Sequence, residues 1–296
     1  MFLLDACKKL GLQHSAYKKA VNLYIWQAYL NDLGKGDVTT RYFIPKKRRI
    51  VTGKIVSKEA GILAGVLEAE WFLKKLGIRI AQKKNEGMKV KKGDVIMKLK
   101  GRADKMLAGE RTLLNLLQRM SGVATSTNRL ASKLPNNIKL LATRKTLWGD
   151  LDKRAVAVGG GGTHRLNLSD AVLIKENHIA LIDNPEKSFK SVRKCGKKVR
   201  FVEIELENMN QVFAFATLYQ LLKPIKNMVV MLDNFKPLDV KKAVLVLKPL
   251  NVLIEVSGRI NERNIKHYAL KGVSAISSGA ITNKASSLDF SLNVIV

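Results

Sequence analysis

Thr143, Arg144 and Lys145 stand at the end of the apolar run "IKLLATR" (138–144). A second run, "AVLIK" (171–175), is entered through His164 and Arg165 and left through Lys175. Guanidinium forks pair with carboxylates and phosphates through two hydrogen bonds, while ammonium groups act as compact point charges. Glu205 and Asp233 lie at the ends of "VRFVEIEL" (199–206) and "MVVMLDN" (228–234). Carboxylates there suit Mg²⁺ or sugar hydroxyls. Ser257–Gly258 and Ser278–Gly279 end "NVLIEVSG" (251–258) and "VSAISSGA" (273–280), and they offer backbone N–H groups to a phosphate without a bulky side chain in the way. Such a set fits a small ligand with several carboxylates or phosphates, including a metal-bound diphosphate.

The positioning elements follow from the rhythm of the chain after Pro135. Segments with helical potential separate the runs: "DNPEKSFKSVRKCG", "NMNQVFAFATLYQLL", "KPLDVKKAVLVL" and "INERNIKHYALKG". Run ends recur about every 20–30 residues, the length of a βα unit. Strands apolar on both faces predict a parallel sheet, closed into a barrel or open and doubly wound. In a parallel barrel the carboxyl ends of all strands share one rim, which carries the chemistry. Taken singly, each residue has an ordinary explanation: Lys175 as a surface lysine, Glu203 and Glu205 on one face of a surface strand, His164 as a loop histidine. Their recurrence at six run ends points to a common pocket instead. The run "GGGG" (159–162) lacks both nucleotide-loop fingerprints and reads as a mobile or tight loop beside His164–Arg165.

The first part of the chain reads as mixed α+β. Helical spacing covers 14–32, and "GDVTTRYFIP" (36–45) is a turn leading into an extended run. Residues 49–65 alternate as strands do, and 66–77 return to a helical period. Residues 90–101 predict a hairpin turning at Gly93–Asp94. Residues 102–134 predict a long amphipathic helix broken near Ser121–Gly122.

The bulk properties set limits. The 296 residues are 46% hydrophobic and 26% charged, as in a soluble globular protein. The start, "MFLLDACKKLGLQ", is a poor signal peptide, and we read a cytoplasmic protein. Cys7 and Cys195 are expected as reduced thiols, and the four histidines do not have zinc-ligand spacing. The net charge of +29 attracts anions, but stretches such as 46–49 and 83–94 read as solvated faces. Position, not total charge, therefore has to identify the ligand. A duplex nucleic acid would want a broad basic face with aromatic residues, which this pattern does not favour.

At these residues the sequence resembles the quinolinate phosphoribosyltransferase family. The matching pieces are "LGKGDVTT" (33–40), "GERTLLNLLQRMSGVAT" (109–125), "ATRKT" (142–146), "GGGGTHRLNLSDAVLIKENH" (159–178), "VEIELEN" (202–208), "VMLDN" (230–234), "EVSG" (255–258), "SSGAIT" (277–282) and "LDFSL" (288–292). They run in the family's order along nearly the whole chain.

The resemblance implies an irregular parallel α/β barrel over 113–282. It also implies an N-terminal α+β sandwich-like domain over 1–112, completed by the tail 283–296. The implied reaction joins quinolinate and phosphoribosyl diphosphate, giving nicotinate mononucleotide, CO₂ and diphosphate, with Mg²⁺ as cofactor. It implies that Arg111, Arg144, Arg165 and Lys175 surround the dicarboxylate, with Thr143 and His164 beside them. Lys145, Glu205 and Asp233 then serve the phosphoribosyl diphosphate and its Mg²⁺, and the loops Ser257–Gly258–Arg259 and Ser278–Gly279–Ala280 hold the 5′-phosphate. A homodimer is implied, with Arg111 reaching the active site of the partner subunit. Trp148 replaces a family proline, no arginine stands at 150–151, Arg259 replaces a glycine and Asn283 a histidine. Three rivals stand beside this reading: a molybdenum-transport-associated homologue of the same fold, a basic nucleic-acid-binding protein, and a Schiff-base aldolase using Lys175. Arg144, Lys145 and Arg165 are superfluous to the last.

Overall fold

The computed structural model describes residues 3–44, 49–196, 198–222 and 224–295. Of the basic run at 46–49, only Arg49 lies within them. Contacts divide the chain into two compact units. One comprises Lys8–Asn128, Leu147–Gly159 and Ala285–Val296; the other comprises Met1–Cys7, Arg129–Thr146 and Gly160–Lys284.

The first unit is built on an antiparallel sheet. Its strands are β1 (Ile50–Ser57), β2 (Gly61–Ile62), β3 (Arg79–Lys83), β4 (Lys89–Val90) and β5 (Val95–Arg102). The last strand of the chain, Phe290–Ile295, pairs with β1, which pairs with β5, which pairs with β3. The tail thus completes this sheet, as expected. Alternation sets the faces: Val51 and Ile55 of β1 are buried while Thr52 and Lys54 are not. Its helices are α1 (Ser15–Val21), α2 (Gln27–Leu33), α3 (Val38–Phe43), α4 (Val66–Leu76), α5 (Ala103–Ala131), which runs on past Asn128, and α6 (Asp150–Val158).

Three local expectations are corrected here. Residues 38–43 are helical, not extended, because the Asp37 carboxylate accepts the Thr40 amide at 2.9 Å and caps the turn. Gly93 and Asp94 do form a turn, but not a hairpin: β4 pairs with β2, whereas β5 pairs with β1 and β3. Helix α5 is continuous through Ser121–Gly122. A Cβ on Gly122 would lie 2.0 Å from the Ser286 carbonyl oxygen, so this glycine admits the tail rather than breaking the helix. Ser121 turns its hydroxyl to the Ala64 amide at 2.9 Å.

The second unit carries the parallel strands. They are β6 (Lys139–Leu141), β7 (Val172–Ile174), β8 (Val202–Leu206), β9 (Met228–Asp233), β10 (Leu253–Ser257) and β11 (Ala275–Ser277), hydrogen-bonded in the order β6-β11-β10-β9-β8-β7. This is the expected α/β class. Among the described residues no strand ladder joins β7 to β6, though a parallel bridge from Leu141 to Gly162 extends the β6 edge. The glycine run is therefore tight at that point: the Gly162 amide donates to Leu140 and its carbonyl accepts from Ala142, both at 2.8 Å. Helices α7 (Glu176–Ile179), α8 (Pro185–Gly196), α9 (Met209–Leu221), α10 (Pro237–Leu247) and α11 (Ile265–Tyr268) follow their strands. Every residue of β8 is buried, as a strand covered on both faces must be. Leu4, Leu141, Ala171, Phe201, Val229 and Ala275 form one buried cluster.

Register fixes which side chains share a level. Glu205 pairs with Met231, Met231 with Glu255, and Glu255 with Ala275; near the strand ends Asp233 pairs with Ser257, and Ser277 with Leu141. Paired residues on parallel strands face the same side. The acids and hydroxyls of four strands thus rise together toward one end of the sheet.

Candidate functional site

At that end lie two adjoining cavities. The first, of about 330 Å³, is lined by Thr143, Arg144, Lys145, His164, Arg165, Lys175, Glu205, Asp233 and Ser257, together with Glu255 and Ser277. The second, of about 580 Å³, is lined by Gly258, Arg259, Ser278, Gly279 and Ala280, with Asn234, Asn261, Asn283 and Lys284. Thr143, Lys145, Asp233, Ser257 and Ser277 line both. Every sequence-predicted site residue but one is in this pair. Arg111 instead lines a cavity of about 160 Å³ in the antiparallel unit, with Asp32 and Trp148. Trp148 stacks there on Tyr24, ring centroids 6.4 Å apart.

Cations dominate the first cavity. Arg144 and Lys145 make no ion pair among the described residues. Burial, and then the charge of Arg144, lower the pKa of Arg165, with Glu203 opposing. Two guanidinium groups thus line one cavity, an arrangement that suits a dicarboxylate. Lys175 leaves β7 with Nζ 2.8 Å from Oε2 of Glu205, and its backbone amide donates to Nδ1 of His178 at 3.0 Å, starting α7. Burial raises the Glu205 pKa; Lys175 opposes that, and the charges of Asp233 and Glu176 add to it. An under-compensated carboxylate beside a second on the adjacent strand is a hard-oxygen donor pair of the kind Mg²⁺ takes together with substrate phosphates. The residues present therefore fit that ion.

The second cavity is built from turns. Gly258 has φ of 100° and Arg259 of 51°. A Cβ on Gly258 would meet the Asn234 amide nitrogen at 2.5 Å, so only glycine passes there. The Arg259 carbonyl accepts from the side chains of Asn261 and Asn264 at 3.3 and 3.2 Å, which holds the left-handed turn. Ser278 spends its hydroxyl internally, donating to the Ile260 carbonyl at 2.6 Å and accepting the Ala280 amide at 3.1 Å. Ser277, by contrast, is buried, lines both cavities and has a hydroxyl with no hydrogen-bond partner among the described residues.

Sequence reasoning also missed the floor of the first cavity. Glu203, which reads as a plausible surface residue, is fully buried, as is Glu255. Nε2 of His164 lies 2.9 Å from Oε2 of Glu203 and 3.4 Å from Oε2 of Glu255. Burial works against a charge on His164, and the two nearby carboxylates work for one. Burial and the charge of Glu255 push Glu203 up to about 7 against the pull of His164. The Arg165 amide donates to Nδ1 of the same ring at 2.8 Å. A second ring proton would displace that bond, so the ring proton sits on Nε2 and any further proton belongs to the carboxylates. The available signal was the period of two that puts Glu203 with Glu205 and Glu255 with Ser257.

Comparison with known proteins adds an independent line. Residues 37–121 match the family described as quinolinate phosphoribosyl transferase, N-terminal domain, and residues 123–293 match its C-terminal domain. The chain is 39% identical over 269 residues to the probable nicotinate-nucleotide pyrophosphorylase (carboxylating) of Archaeoglobus fulgidus, covering 88% of this chain and 98% of that one. It is 34% identical over 289 residues to the probable enzyme of that name from Bacillus subtilis, covering 96% and 95%. Among solved structures it is similar to the nicotinate-nucleotide pyrophosphorylase from Francisella tularensis, with a TM-score of 0.83 at 34% identity over 94% of this chain and 96% of that one.

Proposed function

The chain belongs to the quinolinate phosphoribosyltransferase family, and from that premise we propose that the first rim cavity seats quinolinate and the second the phosphoribosyl diphosphate. The enzyme transfers the phosphoribosyl group to quinolinate with decarboxylation. It yields nicotinate mononucleotide, CO₂ and diphosphate, a step of de novo NAD biosynthesis. The observation that supports the seating is the shared wall: Lys145, Asp233 and Ser257 line both cavities, so two anions bound there would meet at one place.

Bringing two polyanions together is opposed by their repulsion, and the cations of the first cavity offset it while fixing orientation. In our reading Arg144 and Arg165 take the two carboxylates of quinolinate as forks. Lys175, tethered to Glu205, contributes a point charge, and Thr143 and His164 shape the pocket beside them. The second cavity holds the 5′-phosphate against the Gly258–Arg259 and Gly279–Ala280 backbone. Lys145 faces the diphosphate. Glu205 and Asp233 would hold Mg²⁺ together with substrate oxygens, and the bound ion would neutralise the departing diphosphate. As the bond from C1 of ribose to diphosphate stretches, C1 becomes oxocarbenium-like, and the carboxylates on β8 and β9 stabilise that charge. The pyridine nitrogen supplies the electron pair of the new bond. The ring nitrogen, now quaternary, stabilises the electron pair left on the adjacent ring carbon when its carboxylate leaves as CO₂, and a proton from water then bonds to that carbon. No covalent enzyme intermediate is required, and Lys145 and Lys175 act as electrostatic clamps.

We further propose a homodimer in which the partner subunit's Arg111 completes the dicarboxylate site, working in the cytoplasm. No helix among the described residues is long and apolar enough to cross a membrane. The direct test is to incubate purified protein with quinolinate, phosphoribosyl diphosphate and Mg²⁺ and follow CO₂. Stoichiometric release with nicotinate mononucleotide is expected; no release at saturating substrates would refute the assignment. Mixing inactive Arg111→Ala and Lys175→Ala variants is expected to restore a fraction of the activity through hybrid dimers. If subunits demonstrably exchange and no activity returns, the shared site is wrong.

A further inference from the structure

The buried cluster beneath the first cavity has no part in the chemistry above. Nothing about bond making needs Glu203 and Glu255, yet two carboxylates in an apolar sheet interior are costly unless they hold something. What they hold is the ring of His164. That residue has a positive φ of 55°, unusual for a non-glycine residue. Its strained backbone is gripped from several sides. Its carbonyl accepts Nη2 of Arg200 at 2.9 Å, and Arg200 is itself anchored on Asp170. Phe201 meets the ring edge-on with centroids 5.4 Å apart. Nε2 faces Glu203 from β8 and Glu255 from β10, while Nδ1 takes the Arg165 amide.

We propose that Glu203 and Glu255 are positioning residues: by clamping the His164 ring between β8 and β10 they fix the backbone of Arg165 and so aim its guanidinium at quinolinate. The proposal rests on the assignment of the first cavity to that substrate. The route is short: close carboxylate contacts at Nε2, the ring, and the hydrogen bond from the Arg165 amide to Nδ1. Glu255 reaches the cavity wall while Glu203 lies behind it. A metal ion is the competing occupant, because His164, Glu203 and Glu255 offer ligand atoms within 4.8 Å of one another. The 2.9 Å approach of Nε2 to Glu203 is a direct contact without hydrogen-bond geometry, and the metal content of the purified enzyme separates that contact from a bound ion.

The test uses the full-length enzyme and the variants Glu203→Gln and Glu255→Gln, which keep side-chain shape. The KM for quinolinate is expected to rise about 10- to 100-fold, as when an outer carboxylate is removed from a histidine it orients. The KM for phosphoribosyl diphosphate and kcat should stay nearly unchanged. Equal rises in both KM values, or a fall in kcat alone, would overturn the proposal. A second readout needs no turnover. With only four histidines in the chain, ¹⁵N-imidazole spectra assigned with His164→Asn should show Nε2 protonated and Nδ1 bare near neutral pH. A fast-exchanging or Nδ1-protonated ring in the wild type would sink the clamp even if CO₂ release proves the reaction right. Stoichiometric transition metal in the purified enzyme, lost in Glu255→Gln, would also overturn it.

Discussion

The two units both bury arginine, and they do so in opposite ways. In the antiparallel unit Arg119 forks onto Asp152, with Nε and Nη2 at 2.9 and 2.7 Å from the two carboxylate oxygens. Asp152 also accepts the Leu147 and Trp148 amides. Arg154 is shared between Glu68 at 2.8 Å and Glu86 at 3.2 Å, and Tyr17 donates to Glu68 at 2.6 Å. In the parallel unit Arg165 faces Arg144, and the acids of the strands lie below or beside the pair. An arginine matched by carboxylates has settled its desolvation cost within the fold, and its removal strands a buried charge. Arg165 instead has a second arginine among its neighbours and lines an open cavity. Residue type and burial alone do not separate a structural charge from a functional one; the sign of the neighbours does.

That contrast can be broken experimentally, beginning with its largest effect. Arg119→Ala is expected to cost about 3–5 kcal/mol of folding stability because Asp152 is left buried and unpaired. Denaturant unfolding measures it, and a loss below about 1 kcal/mol would mean that the pair is not structural. Arg144→Ala and Arg165→Ala are each expected to lower kcat/KM for quinolinate by roughly 2–4 kcal/mol in transition-state binding. Arg144→Ala should leave the unfolding midpoint unchanged or slightly raised. Wild-type kinetics in either variant would erase the distinction drawn above.

The pH response sharpens the comparison further. Burial raises Glu203 from an ordinary 4.5 to about 7, so the folded protein keeps a proton that the unfolded chain releases. Stability of the parallel unit should then fall as pH rises through that window and level off above it, and Glu203→Gln should flatten the slope. In the antiparallel unit the sign reverses. Hydrogen bonds from Thr40 lower Asp37, and the Arg102 side chain lowers Asp104. Their contribution is present above 3.8 and lost as pH falls below it. A pH series of denaturation curves distinguishes the two limbs. The smallest effect is expected from Asp37→Ala, which removes the cap of α3 at a cost of about 1 kcal/mol, read as a small shift in midpoint.

The residues of the rim were legible in the sequence because each closes an apolar run. A run long enough to be buried becomes a strand, and the polar residue that ends it then falls at the strand's carboxyl end. Thr143, Lys175, Glu205, Asp233 and Ser257 were placed at the rim this way, and the family resemblance implied roles for Arg111 and for the loops at Gly258–Arg259 and Gly279–Ala280. Where an element is decided by contacts distant in sequence, local reading failed. Gly122 looks like a helix breaker until the tail is seen lying against it. The β5 strand looks like half a hairpin until β1 and β3 are seen beside it.

By itself, then, the amino-acid order determined which side chains stand at strand ends, since local burial of apolar runs sets where strands begin and stop. Only the tertiary structure decided that Ser277 rather than Ser278 has a hydroxyl without a hydrogen-bond partner among the described residues, that Glu203 is buried, and that Arg165 faces Arg144 while Arg119 faces Asp152. Those outcomes depend on which distant strands and helices are brought within a few ångströms, and electrostatic and hydrogen-bond energies are set at that range.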